Sequence, residues 1–361
     1  MRSGSRLRVL VDGSGNSLTF VRLLCALAVV VSHSFQVVGG ADAVQPLGLL
    51  TPYDLGQHAV NAFFAMSGLT LSASVTRNTD LRRFAVARCL RIFPGLVAFG
   101  VVFAFLLGPF LSSRAVGEYF LDIHTYLYPL RVLLYFSDAA PPQGIFETVP
   151  MAGLVNAPLW TVRYELVAYA GLALLVASGL FLRAWGLALA SAAIIAYWSV
   201  FEIFPELGAG IGGFASLGRF GLCFLLGVLA FVLRDRIVLS AYGVVAGAAA
   251  LWLLNGTAAD RLANILFVAY LVFFLGSLSF GALGRWAQRT DISYGTYLYG
   301  WPIQQTLVMA LPGLGVPLHL ALSLILAPIA GLLSWHYVEE RAMRLKGRFR
   351  FKTRPIPPTN G

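Results

Sequence analysis

The sequence predicts an all-α protein, a polytopic bundle of membrane-spanning helices, and three observations lead there. Hydrophobic residues make up 58% of the 361 and charged residues only 12%, with a mean hydropathy of +0.77, whereas soluble domains carry about 25% charged residues. Apolar runs near the roughly 20 residues needed to cross a bilayer recur along the chain. They are apolar throughout rather than alternating, and a backbone in lipid must satisfy its own hydrogen bonds, which favours helices over barrel strands.

The runs fall at 18–39, 56–76, 84–108, 158–181, 185–204, 214–233, 237–255, 262–283, 292–311 and 317–338, giving about ten predicted spans. Short polar connections join most of them, so residues 1–340 read as one transmembrane domain, followed by a basic, proline-containing tail over 341–361. The exception is the connection 109–157, which is too long and too aromatic for a simple loop and predicts an interfacial or re-entrant helix near 119–136.

Lys and Arg collect on cytoplasmic loops. Strict alternation places Arg2, Arg6, Arg8, Arg77, Arg82, Arg83, Arg183, Arg234, Arg236, Arg285, Arg289 and the tail on one side, and Asp42, Asp54, Glu118, Asp122, Asp138, Glu147, Glu202, Glu206 and Asp260 on the other. Both termini are therefore expected in the cytoplasm, with the chain multi-pass in the inner (plasma) membrane. The net charge of +10 then follows from topology and attraction to anionic membrane lipids, and no nucleic-acid partner is expected. The first run exceeds a signal-peptide core and contains Arg22 and His33, so it reads as a retained helix. Cys25, Cys89 and Cys223 show no metal-ligand spacing, so no metal is expected, and all three fall in predicted spans as packing residues.

Ionisable residues within membrane segments are costly and as a rule face a bundle interior or a wet cavity. The 11 residues from Arg22 to His33 turn about 20° past three full turns and rise about 16 Å, so both share one helix face. In RRFAVARCLRIFPGL, Arg88 and Arg91 lie about 60° apart and enter from the same side as Arg22. Three planar guanidinium forks converging at one mouth suit a phosphate-bearing anion. In NAPLWTVRYELVAYA, Glu165 is expected near the outer boundary, at the depth of His33, where a carboxylate would fix the tautomer of the imidazole and raise its basicity. Asn61, Ser67 and Gly68 in the second run suit a cavity lining or close helix contact, and DISYGTYLYGWPIQQ offers Tyr297, Tyr299, Trp301, Gln304 and Gln305 to a polar cavity.

These residues carry a resemblance to the acyltransferase-3 family, integral-membrane enzymes that acylate glycans and related acceptors. Arg22 and His33 match its first-helix pattern, Arg88-Cys89-Leu90-Arg91 its Arg-x-x-Arg signature, and NAFFAMSGL, LWTVRYEL and ISYGTYLYGWPI three further motifs in the same order. Asn61 stands where an Asp is common and Gly300 where a His is common, so neither position is assigned a catalytic role. The resemblance implies O-acylation: cytoplasmic acyl-CoA, with acetyl-CoA the first expectation, as donor, and a glycan, glycolipid or other hydroxyl acceptor on the far side. Arg22, Arg88 and Arg91 would hold the CoA phosphates, while His33 with Glu165 would be catalytic, as general base or through an acyl-imidazole. Trp160, Tyr164, Tyr297, Tyr299, Trp301 and Gln304 are the expected substrate contacts. The competing reading is a transporter or channel for an anionic solute, with the arginines as selectivity elements.

Overall fold

The computed structural model describes residues 5–12, 15–136, 140–210 and 212–349. Arg2, Asp138 and the tail from residue 350 onward lie outside the described residues.

Helices dominate: α1 (Leu18–Gly39), α2 (Leu55–Arg77), α3 (Leu81–Val102), α4 (Ile123–Tyr135), α5 (Val162–Ala177), α6 (Ala184–Ile203), α7 (Gly212–Val232), α8 (Ala241–Leu254), α9 (Asp260–Ser277), α10 (Gly281–Arg289), α11 (Ser293–Ala310) and α12 (Val316–Ser334). A two-residue pair, β1 (Ser5–Arg6) with β2 (Val238–Leu239), ties the N-terminal segment to the α7–α8 connection. Among the described residues, eight helical segments are long and apolar enough to span a membrane, against about ten expected. The two expected spans that fall short are both helical. α8 has only 14 residues. α11 has 18, but its buried Ser293, Thr296, Gln304 and Gln305 lower its hydropathy because it packs in the bundle interior rather than against lipid. Helix α4, with the short helix Val116–Leu121 before it, occupies the predicted 119–136 region.

Basic residues gather at one end, here the arginine-rich end. Arg8 pairs with Asp235 at 3.4 Å, and Arg77, Arg83 and Lys346 line one cleft. At the opposite end α2 starts with a reciprocal cap, in which the Gln57 amide N–H donates to Asp54 Oδ1 at 2.7 Å and Asp54 N–H donates to Gln57 Oε1 at 3.0 Å.

Helices α2 and α7 meet backbone to backbone. A Cβ on Gly68 would lie 2.0 Å from the Phe224 carbonyl oxygen, and one on Gly227 would lie 2.1 Å from that of Ala65, so only glycine permits this approach. Ser67 and Gly68 thus divide the two roles expected of them, Ser67 turning to the cavity and Gly68 to α7.

The connection before α5 dips deep into the bundle. Gln305 Nε2 donates to Met151 O at 2.6 Å, Trp301 Nε1 to Leu154 O at 3.0 Å, Asn156 Nδ2 to Leu298 O at 2.7 Å, and the Tyr297 hydroxyl to Pro158 O at 3.1 Å. From Gln305 back to Tyr297 the segment follows α11 inward by about 12 Å. Irregular backbone at membrane depth is tolerated when protein donors satisfy it, and here the side chains of α11 supply those donors.

Candidate active site

This inward thread corrects the expected depth of Glu165. The residue sits in the first turn of α5 and lines a cavity of about 90 Å³ with Arg22, Arg88, Arg91, Ser67, Tyr169, Tyr294 and Tyr297. Its Oε1 accepts from the Tyr169 hydroxyl. The expected pairing with His33 is therefore not formed: Glu165 belongs to the arginine cluster, because α5 begins well inside the bundle instead of at its outer boundary. The carboxylate whose charge reaches His33 is Asp54, which also accepts from Ser32 Oγ at 3.2 Å.

The three arginines do converge, in unequal settings. Arg22 Nη2 donates to Ser67 Oγ at 3.3 Å. Arg91 is engaged twice, to Asp291 Oδ2 at 2.7 Å and Glu339 Oε2 at 3.1 Å, and its side chain is only 14% exposed. Both carboxylates are themselves held, since Ser293 Oγ donates to Asp291 Oδ1 at 2.6 Å and Ser334 Oγ to Glu339 Oε1 at 2.9 Å. Glu339 lies on a π-helical turn, Trp335–Glu339, that continues α12. Arg91 thus lines the cavity with its charge already matched by two protein carboxylates.

Arg88 has no such partner. It faces the Tyr169 ring at 5.8 Å, and its buried Nε makes no hydrogen bond among the described residues. It lines both the cavity and a second cleft of about 410 Å³ that contains Ser74, Arg77, Asn78, Arg83 and Lys346. Lys346 falls in the basic tail that follows the last predicted span, yet the helical course runs on from α12 to Arg348 and brings it beside Arg83 and Arg88.

His33 packs edge-on against Trp301, with ring centroids 5.0 Å apart, and makes no hydrogen bond among the described residues. Trp301 is one turn, about 6 Å of helix axis, beyond Tyr297 of the cavity. The other expected contacts separate. Trp160 and Tyr164 pack on Phe220, and the Tyr164 hydroxyl donates to Gly213 O at 2.9 Å. Tyr299 meets Phe99 at 5.5 Å. Gln304 donates to Val30 O at 2.7 Å and Ser34 Oγ at 2.8 Å. These four hold helices together and do not line the cavity: Trp160 and Tyr164 turn toward α7, and on α11 Tyr294 and Tyr297 take the face that meets open space while Tyr299 and Gln304 turn to neighbouring helices.

A family model for an acyltransferase domain matches residues 16–335. The chain belongs to the acyltransferase-3 family. It is 31% identical over 155 residues to an O-acetyl transferase of Shigella phage Sf6, a match covering 43% of this chain and 44% of that one. It is 26% identical over 365 residues to nodulation protein 10 of Rhizobium leguminosarum bv. viciae, covering 93% and 95% of the two chains. No solved structure matches. In this acyltransferase the residues that sequence reasoning missed are Arg77, Arg83 and Lys346 of the cleft and the two carboxylates on Arg91. Asp291 and Glu339, acidic residues flanking apolar runs, were the available signal.

Proposed function

We propose that this acyltransferase moves an acyl group from cytoplasmic acyl-CoA to a hydroxyl of a glycan, glycolipid or similar acceptor on the opposite face of the plasma membrane, with the arginine-rich end and both termini in the cytoplasm. The observation that carries the reading is that Arg88 belongs to both openings. The basic cleft of Arg77, Arg83, Arg88 and Lys346 suits the phosphates of CoA, and the cavity beyond Arg88 suits its extended arm. The arm then has about 16 Å to cover between the levels of Arg22 and His33.

His33 takes the proton of the acceptor hydroxyl as that oxygen attacks the thioester carbonyl. The C–S bond breaks, the departing thiolate takes up that proton, and CoA leaves as the thiol with His33 neutral again. Unoccupied ring nitrogens fit this role, since a base already bonded to the protein would have to break that bond first. Glu165, bonded to Tyr169 among the arginines, acts as a positioning residue for them rather than for His33.

The test uses protein in nanodiscs titrated with acetyl-CoA and a panel of longer acyl-CoAs, for wild type, Arg88→Ala and His33→Ala. Saturable binding that weakens in Arg88→Ala, with thiol release only when His33 is present, is the expected result. No binding and no thiol release by the wild type overturns it and favours anion transport.

A further inference from the structure

The mechanism above leaves one half-buried cation unused. Arg219 lies on α7, and its guanidinium centre is 4.6 Å from the Phe220 ring centroid and 5.2 Å from that of Tyr53. Among the described residues it makes no hydrogen bond and has no carboxylate oxygen within 4.0 Å. Arg261, at the same end, pairs with Glu202 at 3.3 Å, and Arg91 has two carboxylates. A guanidinium inside a membrane segment is costly to keep unless a partner or ligand repays it. Aromatic stacking engages the flat face of the cation and leaves its N–H edges available.

Tyr53 is built to stay in place. It is only 5% exposed, and the His58 ring stands edge-on to it at 5.7 Å. Thr51 Oγ donates to the Tyr53 carbonyl oxygen at 2.6 Å, so the 3.1 Å contact between Thr51 Oγ and His58 Nε2 has the imidazole as donor. Burial pushes the Tyr53 phenol up to about 12, which keeps its ring neutral under a neighbouring cation. The next residue, Asp54, accepts from Ser32, the neighbour of His33. Arg219 and His33 are thus connected through Tyr53, Asp54 and Ser32 at the end of the bundle opposite the basic cleft.

We propose that Arg219, backed by Tyr53 and Phe220, recognises the acceptor by binding a carboxylate or phosphate group of an acidic saccharide presented to His33. The inference rests on the acyl-transfer reading and adds the class of acceptor. A planar fork can hold either anion through two parallel hydrogen bonds, while Tyr53 and Phe220 keep the fork from collapsing onto a protein carboxylate. A neutral sugar gains nothing from it.

The experiment measures binding of two probe pairs to protein in nanodiscs: trigalacturonate against its methyl ester, and glucose 1-phosphate against glucose. Wild type is expected to prefer the anion at least ten-fold in one pair, which identifies the anionic group. Arg219→Gln abolishes that preference, and Arg219→Lys, which retains the charge as a single point, reduces it. Should Arg219→Gln fail to yield monodisperse protein, Arg219→Lys decides: an undiminished preference overturns the proposal. Equal binding within both pairs by wild type also overturns it, as does a preference that survives in Arg219→Gln. Thiol release from acetyl-CoA is read in the same preparations. A protein that cleaves acetyl-CoA without preferring either anion refutes the acceptor assignment alone, and one that prefers the anion through Arg219 but neither binds nor cleaves any acyl-CoA refutes the acyl-transfer reading instead.

Discussion

Two regions one helical turn apart on α3 treat the same side chain in opposite ways. Around Arg91 the protein supplies its own anions: Asp291 at the start of α11 and Glu339 on the π-helical turn close on one guanidinium from two sides. Around Arg88 it forms no ion pair, Glu165 standing across the cavity on Tyr169, and instead adds Arg77, Arg83 and Lys346, so that positive charge accumulates beside open space. Like charges repel one another, and a protein that gathers them around a cleft without ion-pairing them is shaped for an anion from outside. The Arg-x-x-Arg pair therefore combines a structural clamp with a ligand site, and resemblance to a motif does not distinguish the two.

The largest effect expected from this contrast is on folding. Arg91→Ala strands two carboxylates, one of them only 1% exposed, and breaking one partner out of a buried ion pair costs about 3–5 kcal/mol. Arg91→Ala should lose most of its folded yield and melt well below wild type. The triple variant Arg91→Met, Asp291→Asn, Glu339→Gln should recover much of that loss, since it removes the stranded charges along with the cation. Thermal unfolding monitored by size-exclusion chromatography checks both, and an Arg91→Ala protein as stable as wild type would dismantle the clamp.

Arg88→Ala should behave in the reverse manner, because the side chain makes no ion pair whose loss would strand a carboxylate. Its melting temperature should stay near that of wild type while acyl-CoA binding falls by roughly ten- to a hundred-fold, the equivalent of about 1.5–3 kcal/mol for a hydrogen bond to a charged group. Titration of acetyl-CoA against both variants separates the two arginines. Similar binding losses in well-folded Arg88→Ala and Arg91→Ala would return Arg91 to the donor site.

This contrast also marks where the sequence stops being legible. Helical periodicity places Arg22 on the face of His33 and Arg88 beside Arg91, and the apolar runs predict the bundle, because these depend on local spacing alone. The partners of Arg91 lie 200 and 248 residues away, and no local pattern couples them to it. Glu165 lies deeper than expected for a related reason: run lengths assume that every connection stays at the surface, whereas residues 151–158 are drawn inward by side-chain donors on α11 about 140–150 positions further on. Lys346 belongs to a basic segment after the last span, which ordinarily lies on lipid; its place in the cleft depends on the helix continuing through the π-turn. Tyr299 and Gln304 looked like cavity residues because polarity in a membrane helix is shared by binding sites and by helix–helix hydrogen bonds, and only the direction each side chain takes distinguishes them.

The smallest effect belongs to the rim of the cleft, and it tests whether that region acts through charge. Lys346→Ala and Arg83→Ala remove cations that share solvent with Arg77 and Arg88, and such exposed charges contribute about 0.2–1 kcal/mol each, screened by salt. Each should weaken acyl-CoA binding only a few-fold at low ionic strength, and the deficit should shrink toward zero in about 1 M salt, where the screening length falls to about 3 Å. Arg88→Ala should keep most of its deficit under the same conditions, because its partly buried position screens it less. The comparison extends to the donor: dephospho-CoA, which lacks the 3′-phosphate, should bind wild type more weakly and lose the difference between wild type and the rim variants. A rim deficit that persists in high salt, or that is the same for CoA and dephospho-CoA, would mean that these side chains shape the cleft rather than attract its ligand, and would leave Arg88 to hold the phosphates without them.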